Sequence, residues 1–116
     1  MTFEPGAELA PDEAEARVEE TIENEKVALF MKGSPMMPQC GYSRKALALI
    51  QHHRDEVATV DVLENLEAYR GALEPHSGRE TIPQVFVDGE FVGGSDILEQ
   101  LHERGELAET LNAAQA

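Results

Sequence analysis

Cys40 is the only cysteine in the 116-residue chain. A thiolate can attack a disulfide or ligate a metal, and either use is helped by surroundings that lower the thiol's pKa. The neighbouring residues supply such surroundings. The apolar run before Cys40 (residues 27–31, VALFM) reads as a buried strand, and residues 44–53 read as a helix. The thiol therefore falls where a strand-to-loop crossing ends and a helix begins. Unpaired N–H groups and the positive end of the helix dipole stabilise an anion there. Ser43 stands three positions on, so no resolving thiol is present and no internal disulfide can close. The Cys40 thiolate must react with, or share a metal centre with, a thiol from outside the chain.

The other candidate groups are weaker. His52 and His53 are adjacent, so on a helix they face different directions and do not make an i, i+4 metal pair. His76 and His102 have no evident partners. Met36 and Met37 read as exposed loop methionines beside a partner-binding thiol rather than as soft metal ligands.

Composition limits the function classes. The length suits one domain, expected over residues 11–112, with a flexible acidic N-terminus (1–10) and a short tail (113–116). No run of about 18 apolar residues is present, so no membrane span is expected. No basic-then-apolar N-terminal segment reads as a secretory signal. A lone cysteine fits a reducing compartment, and a cytoplasmic location is expected. The formal net charge of −14 opposes binding to nucleic acid or anionic membranes. Residues 1–25 alone carry nine acids against one base, Arg17. With only three lysines among nine basic residues, the surface suits a halophilic, salt-rich cytoplasm in which screening removes self-repulsion.

The elements that must position the thiol follow from pattern. Asp12 is expected to cap a helix over about 11–24. Residues 26–31 predict a central strand buried on both faces, and the loop 33–39, with two prolines, can continue neither neighbour. Ala46, Leu47, Leu49 and Ile50 give the next helix its apolar face. Residues 56–62 predict a second strand with Val57, Val60 and Val62 as its apolar members. A helix over 64–73 turns Leu66, Tyr69, Ala72 and Leu73 inward and is expected to break at Pro75, Ser77 and Gly78. Val85-Phe86-Val87, Asp88-Gly89 and Glu90-Phe91-Val92 predict a two-residue hairpin with a type I′ turn. Ser95 or Asp96 is expected to cap a helix through about residue 102, and a last short helix ends near Leu111. A helical crossover makes the first two strands parallel and right-handed, and the hairpin adds an antiparallel pair. A four-stranded mixed sheet flanked by helices follows.

Four separated motifs stand on this framework: Phe30-Met31-Lys32-Gly33, Cys40-Gly41-Tyr42-Ser43, Thr81-Ile82-Pro83-Gln84-Val85-Phe86, and Gly89-Glu90-Phe91-Val92-Gly93-Gly94-Ser95-Asp96. In order and spacing they resemble the monothiol, or CGFS-type, glutaredoxin family over residues 18–111. The resemblance implies an α/β thioredoxin-like fold. It also implies a 2Fe–2S cluster held by Cys40 of two protomers and by two glutathione molecules, or a related low-molecular-weight thiol. The cluster would bridge a homodimer that is monomeric when apo. It would pass to iron–sulfur client apoproteins and assembly factors, serving cluster assembly and iron and redox homeostasis. The alternative is a glutathione-dependent thiol–disulfide oxidoreductase that deglutathionylates proteins with Cys40 as nucleophile.

For the small thiol, the resemblance implies a cis peptide at Ile82-Pro83, exposing the Ile82 backbone to an extended thiol peptide. Gly94, Ser95 and Asp96 open a helix. Their backbone donors suit the γ-glutamyl carboxylate, and the Asp96 side chain suits its ammonium. Lys32 and Arg70 are expected at the glycyl carboxylate, with Arg79 the rival to Arg70. Three departures from the family pattern bear on the pocket wall and on the identity of the thiol. Tyr42 replaces phenylalanine, Arg79-Glu80 stands where relatives often have Trp-Pro, and Ser95 replaces a cysteine.

Overall fold

The computed structural model describes residues 9–112, so residues 1–8 of the expected flexible N-terminus, and the 113–116 tail, lie outside the described residues. Helix α1 spans Pro11–Asn24 and presents Ala14, Val18 and Ile22 to the core at helical spacing. Its cap is Ala10 rather than Asp12, which lies inside the first turn. Glu13 supplies the missing side-chain acceptor by reaching back to the Ala10 N–H at 2.9 Å, half of a capping box. Strand β1, Val27–Met31, is buried at every residue.

The sheet order is β2-β1-β3-β4, with β2 at Ala58–Asp61, β3 at Gln84–Val87 and β4 at Glu90–Gly93. β1 pairs β2 in parallel and β3 antiparallel, and β3 pairs β4 antiparallel. This is the mixed sheet that the crossover and hairpin predict. The hairpin turn is type I′, since Asp88 (φ 51°) and Gly89 (φ 83°) both take positive φ.

Side-chain alternation along β1 sorts the core into two halves. Val27, Leu29 and Met31 face helix α2 (Gly41–His53) and helix α4 (Ser95–Glu103), packing with Ala46, Leu47, Ile50 and Leu98. Leu107 of the short helix α5 (Leu107–Thr110) and Leu111 close that side. Ala28 and Phe30 face α1 and helix α3 (Leu66–Ser77), packing with Val18, Tyr69, Leu73 and Phe86. The Phe30 and Phe86 rings meet edge to face at 5.8 Å. A strand whose two faces must both be covered needs apolar residues throughout, as the unbroken VALFM run has.

Helix α3 departs from expectation. A 3₁₀ turn over Leu63–Asn65 leads into it, and the α-helix continues past Pro75 to Ser77. A proline in the last turn removes only the bond to the carbonyl four residues back, that of exposed Gly71, which water can satisfy. The stop comes from Gly78, which takes the left-handed C-terminal position at φ 74° and donates to Glu74 O at 2.7 Å. At α4 the N-terminal cap is Gly94, so Ser95 and Asp96 occupy the first turn itself.

Among the described residues, salt bridges join Lys26 to Asp88, Lys45 to Glu99, and Arg70 to Glu67. The α1 acids Asp12, Glu13, Glu15, Glu19, Glu20 and Glu23 are all exposed. Their mutual repulsion is screened by salt. The urea midpoint is expected to rise with KCl. A rise that levels off by a few hundred millimolar marks simple screening, and one that continues past about 1 M, where the Debye length is already near 3 Å, marks adaptation to salt. A flat curve removes both.

Candidate functional site

Cys40 is the N-cap of α2, with extended backbone (φ −149°, ψ 134°), and its carbonyl accepts the first helical bond from Arg44 N–H at 2.9 Å. The loop before it is pinched into a narrow return. Gly33 and Pro38 bridge, and Gln39 N–H donates to Lys32 O at 2.9 Å. Ser34 and Met37 exchange backbone bonds at 3.1 and 3.2 Å. The tip carries Met36 and Met37, which are 91% and 66% exposed. Asp61 Oδ1, at the end of β2, accepts from Gly33 N–H at 3.0 Å and Leu63 N–H at 2.9 Å, tying the loop's base to the sheet.

The thiol is half-buried. Partial burial pushes its pKa up, but the backbone N–H groups of Ser43 and Tyr42, the Ser43 hydroxyl and the Lys32 charge together outweigh burial. The net position is below the usual cysteine range. Ser43 is fully buried, and its Oγ accepts from Lys32 N–H at 3.0 Å. That acceptance leaves the hydroxyl proton free to donate to the Cys40 sulfur. One side chain thus joins the end of β1 to the thiolate. Ser43→Ala is expected to raise the pH midpoint of iodoacetamide alkylation, and so to slow alkylation at any pH below it. It also leaves the Lys32 N–H unpaired, at a stability cost of about 1–3 kcal/mol. An unchanged midpoint would remove the hydroxyl from the thiolate's surroundings.

Beside the thiol-bearing turn lies an open groove of about 630 Å³. Tyr42, Arg79, Ile82, Pro83 and the Gly94-Ser95-Asp96 start of α4 line it. The Ile82–Pro83 peptide is cis. A Cβ at Gly94 would sit 3.0 Å from Pro83 O, so glycine lets the α4 start approach the proline loop closely. Lys32 and Arg70 are not among the groove's lining residues. Arg70 Nη1 instead holds Glu67 Oε1 at 2.8 Å, while Arg79 lines the groove.

The groove wall is braced from beneath. Gln84 is 1% exposed, and its Nε2 donates to Arg79 O and Thr81 O, both at 2.9 Å. Ser77 Oγ accepts from Arg79 N–H at 3.1 Å. A buried amide at the start of a strand thus shapes a loop whose outer side chains face the groove. Gln84 Oε1 has no hydrogen-bond partner among the described residues.

Residues 27–92 match the family model for glutaredoxin. The chain is 46% identical over 100 residues to the uncharacterised monothiol glutaredoxin ycf64 of Porphyra purpurea, covering 84% of this chain and 92% of that one. It belongs to the monothiol glutaredoxin family. The mitochondrial glutaredoxin-related protein 5 of Danio rerio is 43% identical over 95 residues, which span 81% of this chain and 61% of that longer one. Among solved structures, reduced apo GrxS14 of poplar superposes with a TM-score of 0.73 at 35% identity, covering 87% of this chain and 93% of that chain. The fold of this glutaredoxin is thioredoxin-like.

Three features of this glutaredoxin are set by contacts that local sequence pattern does not show. In the sequence Ser43 signals only an absent cysteine, whereas the structure makes it a buried hydrogen-bonding centre. Gln84 stood inside a family motif without a role of its own, although a polar residue leading a buried strand is a signal for a buried amide with partners. His102 has no evident partner in the sequence, but its Nδ1 lies 3.3 Å from His53 Nε2. The rings of the adjacent His52 and His53 lie 4.8 Å apart and nearly perpendicular, at 85°.

Proposed function

We propose that this glutaredoxin carries a 2Fe–2S cluster as cargo and passes it to apoproteins in iron–sulfur assembly, serving iron and redox homeostasis. The cluster's four thiolates would be Cys40 from each of two protomers and one from each of two glutathione molecules, or a related small thiol. Residues 11–112 carry the activity. The observation that supports this most directly is a single thiol of lowered pKa at a helix start whose next turn lines an open groove through Tyr42, in a chain with no second cysteine. With half the ligands exchangeable, the cargo is held loosely enough to leave.

In this reading the first-turn N–H groups at Gly94 and Ser95 face the γ-glutamyl carboxylate, and Asp96 accepts from its ammonium. Ile82 and Pro83 offer backbone to the extended peptide. Lys32 and Arg70 take the glycyl carboxylate. Arg70 already holds Glu67 through Nη1, whereas Arg79 lines the groove. Glutathione affinities of Arg70→Ala and Arg79→Ala therefore decide between them. A small thiol lacking the terminal glycine would leave these cations without a carboxylate to hold. A lone thiol suits a reducing, cytoplasmic compartment. No helix among the described residues is long and apolar enough to cross a membrane.

The lowered thiol pKa also supports the oxidoreductase reading. There the Cys40 thiolate attacks the glutathione sulfur of a protein mixed disulfide, and the protein leaves as a thiolate. A second glutathione thiolate then attacks the Cys40–glutathione disulfide, regenerating Cys40 and releasing glutathione disulfide. Anaerobic reconstitution with iron, sulfide and glutathione separates the two. The carrier becomes a brown dimer only when glutathione is present, and reverts to a colourless monomer on chelation. A colourless monomer that rapidly reduces a glutathione mixed disulfide would overturn the carrier reading.

A further inference from the structure

The loop between α3 and β3 forms one wall of the groove through Arg79, Thr81, Ile82 and Pro83. Side chains rather than regular secondary structure hold it. Among the described residues, no bond between main-chain groups reaches residues 79–83. Gln84 Nε2 instead donates to Arg79 O and Thr81 O, and Ser77 Oγ accepts from Arg79 N–H. We propose that Gln84 and Ser77 are positioning residues for ligand binding: they fix the Arg79 main chain at both its N–H and its C=O, and so present the Arg79 guanidinium to a carboxylate of the small thiol.

Main-chain position sets the direction in which a side chain leaves the loop. A wall held at Arg79 N–H, Arg79 C=O and Thr81 C=O is therefore ordered before the ligand arrives, which lowers the ordering cost of binding. Of the two rival arginines, Arg79 is the one so held. It lines the groove and joins none of the salt bridges among the described residues, whereas Arg70 holds Glu67. A guanidinium fork matches the two oxygens of a carboxylate. The amide at position 84 is a costly choice for packing alone. Gln84 is 1% exposed, and its Oε1 has no hydrogen-bond partner among the described residues. Burying an unsatisfied oxygen is destabilising, and an apolar side chain of the same shape would escape that penalty. Such a side chain would lack only the two donors to the Arg79–Thr81 loop. The amide thus serves the groove wall rather than the core.

The inference rests on the reading of the groove as a small-thiol site. Neither Gln84 nor Ser77 lines the groove, so both act through Arg79. Their role is to set the groove's preference for a thiol that carries a terminal carboxylate.

The test is a titration of the reduced full chain with glutathione and, separately, with γ-glutamylcysteine, which lacks the glycyl carboxylate, followed by NMR chemical shifts. The parent should bind glutathione the more tightly. Gln84→Met keeps the side-chain length without the donors. It should weaken glutathione binding about tenfold, the factor that one hydrogen bond to a charged group supplies. It should leave γ-glutamylcysteine binding and the Tm close to those of the parent. Ser77→Ala, which removes one contact instead of two, should act in the same direction by a smaller factor. In an Arg79→Ala background Gln84→Met should weaken glutathione binding no further, because the two residues act as a unit. Equal losses for the two thiols, or a further loss of the same size in that background, would mark Gln84 as merely structural and overturn the proposal. A preference for glutathione that both Gln84→Met and Ser77→Ala leave intact would overturn the positioning role alone. A parent that binds neither thiol would overturn the groove reading itself, and the positioning role with it.

Discussion

Cys40→Ser is expected to leave a folded, colourless monomer after anaerobic reconstitution with iron, sulfide and glutathione. A serine hydroxyl is not ionised at neutral pH and does not replace a thiolate on a cluster, so the proposed dimer would lose two of its four cluster ligands at once. The fold should survive, because the substitution exchanges sulfur for oxygen at a half-buried position. Serine is moreover a preferred helix N-cap, the position Cys40 occupies. Loss of colour with retained Tm is therefore the expected combination, measured by visible absorbance, size exclusion and thermal melting. A brown Cys40→Ser protein would require another ligand and would sink the assignment of Cys40. The pH dependence has a definite sign. The native thiol pKa is lowered, so the thiolate stabilises the native state at pH values above the unfolded-state pKa, and that contribution is lost as pH falls through the native pKa. The stability difference between wild type and Cys40→Ser should change across that window and be constant below it.

Gly33→Ala is expected to damage the site severely. Gly33 has φ 94°, a conformation that an L side chain adopts only under strain. A Cβ there would stand 2.5 Å from Met37 O and 2.6 Å from Gln39 N. Both are backbone atoms of the pinched loop and cannot rotate away. Relief requires opening the return between Gly33 and Pro38, which also disturbs the Gly33 N–H bond to Asp61 and the entry to Cys40. Backbone strain and overpacking together put the cost at about 2–4 kcal/mol. Urea unfolding should show that loss, and Cys40 alkylation should lose its low-pH onset. Gly41→Ala is the control, since a Cβ at Gly41 meets nothing within 4 Å. A Gly33→Ala protein as stable as wild type would mean that the loop has another conformation of equal energy.

Much of the architecture was legible because local pattern and global fold agree. The continuous VALFM run announced a strand covered on both faces, and Asp88-Gly89 between alternating segments announced the hairpin and its turn type. Helix ends were less legible. Pro75 looked like a stop but sits in a last turn that tolerates it, and the cap of α1 is an alanine aided by Glu13 rather than Asp12. Caps depend on the backbone angles of one residue, and several nearby polar residues can compete for that role.

The sequence by itself determined that this chain has one thiol, no internal partner for it and a helix start to lower its pKa. Those properties follow from residue identity and from contacts a few positions apart. Tertiary structure alone decided what lies beside the thiol. It brought Pro83 O against Gly94, set Gln84 beneath the Arg79–Thr81 loop, tied Gly33 to Asp61, and left Arg70 on Glu67 while Arg79 lined the groove. It also gathered His102 to His52 and His53 across 49 residues of chain. The Gly33–Asp61, Pro83–Gly94 and histidine contacts join segments far apart in sequence, and their distances are set by how two helices and a loop pack on the sheet. No local periodicity records that packing.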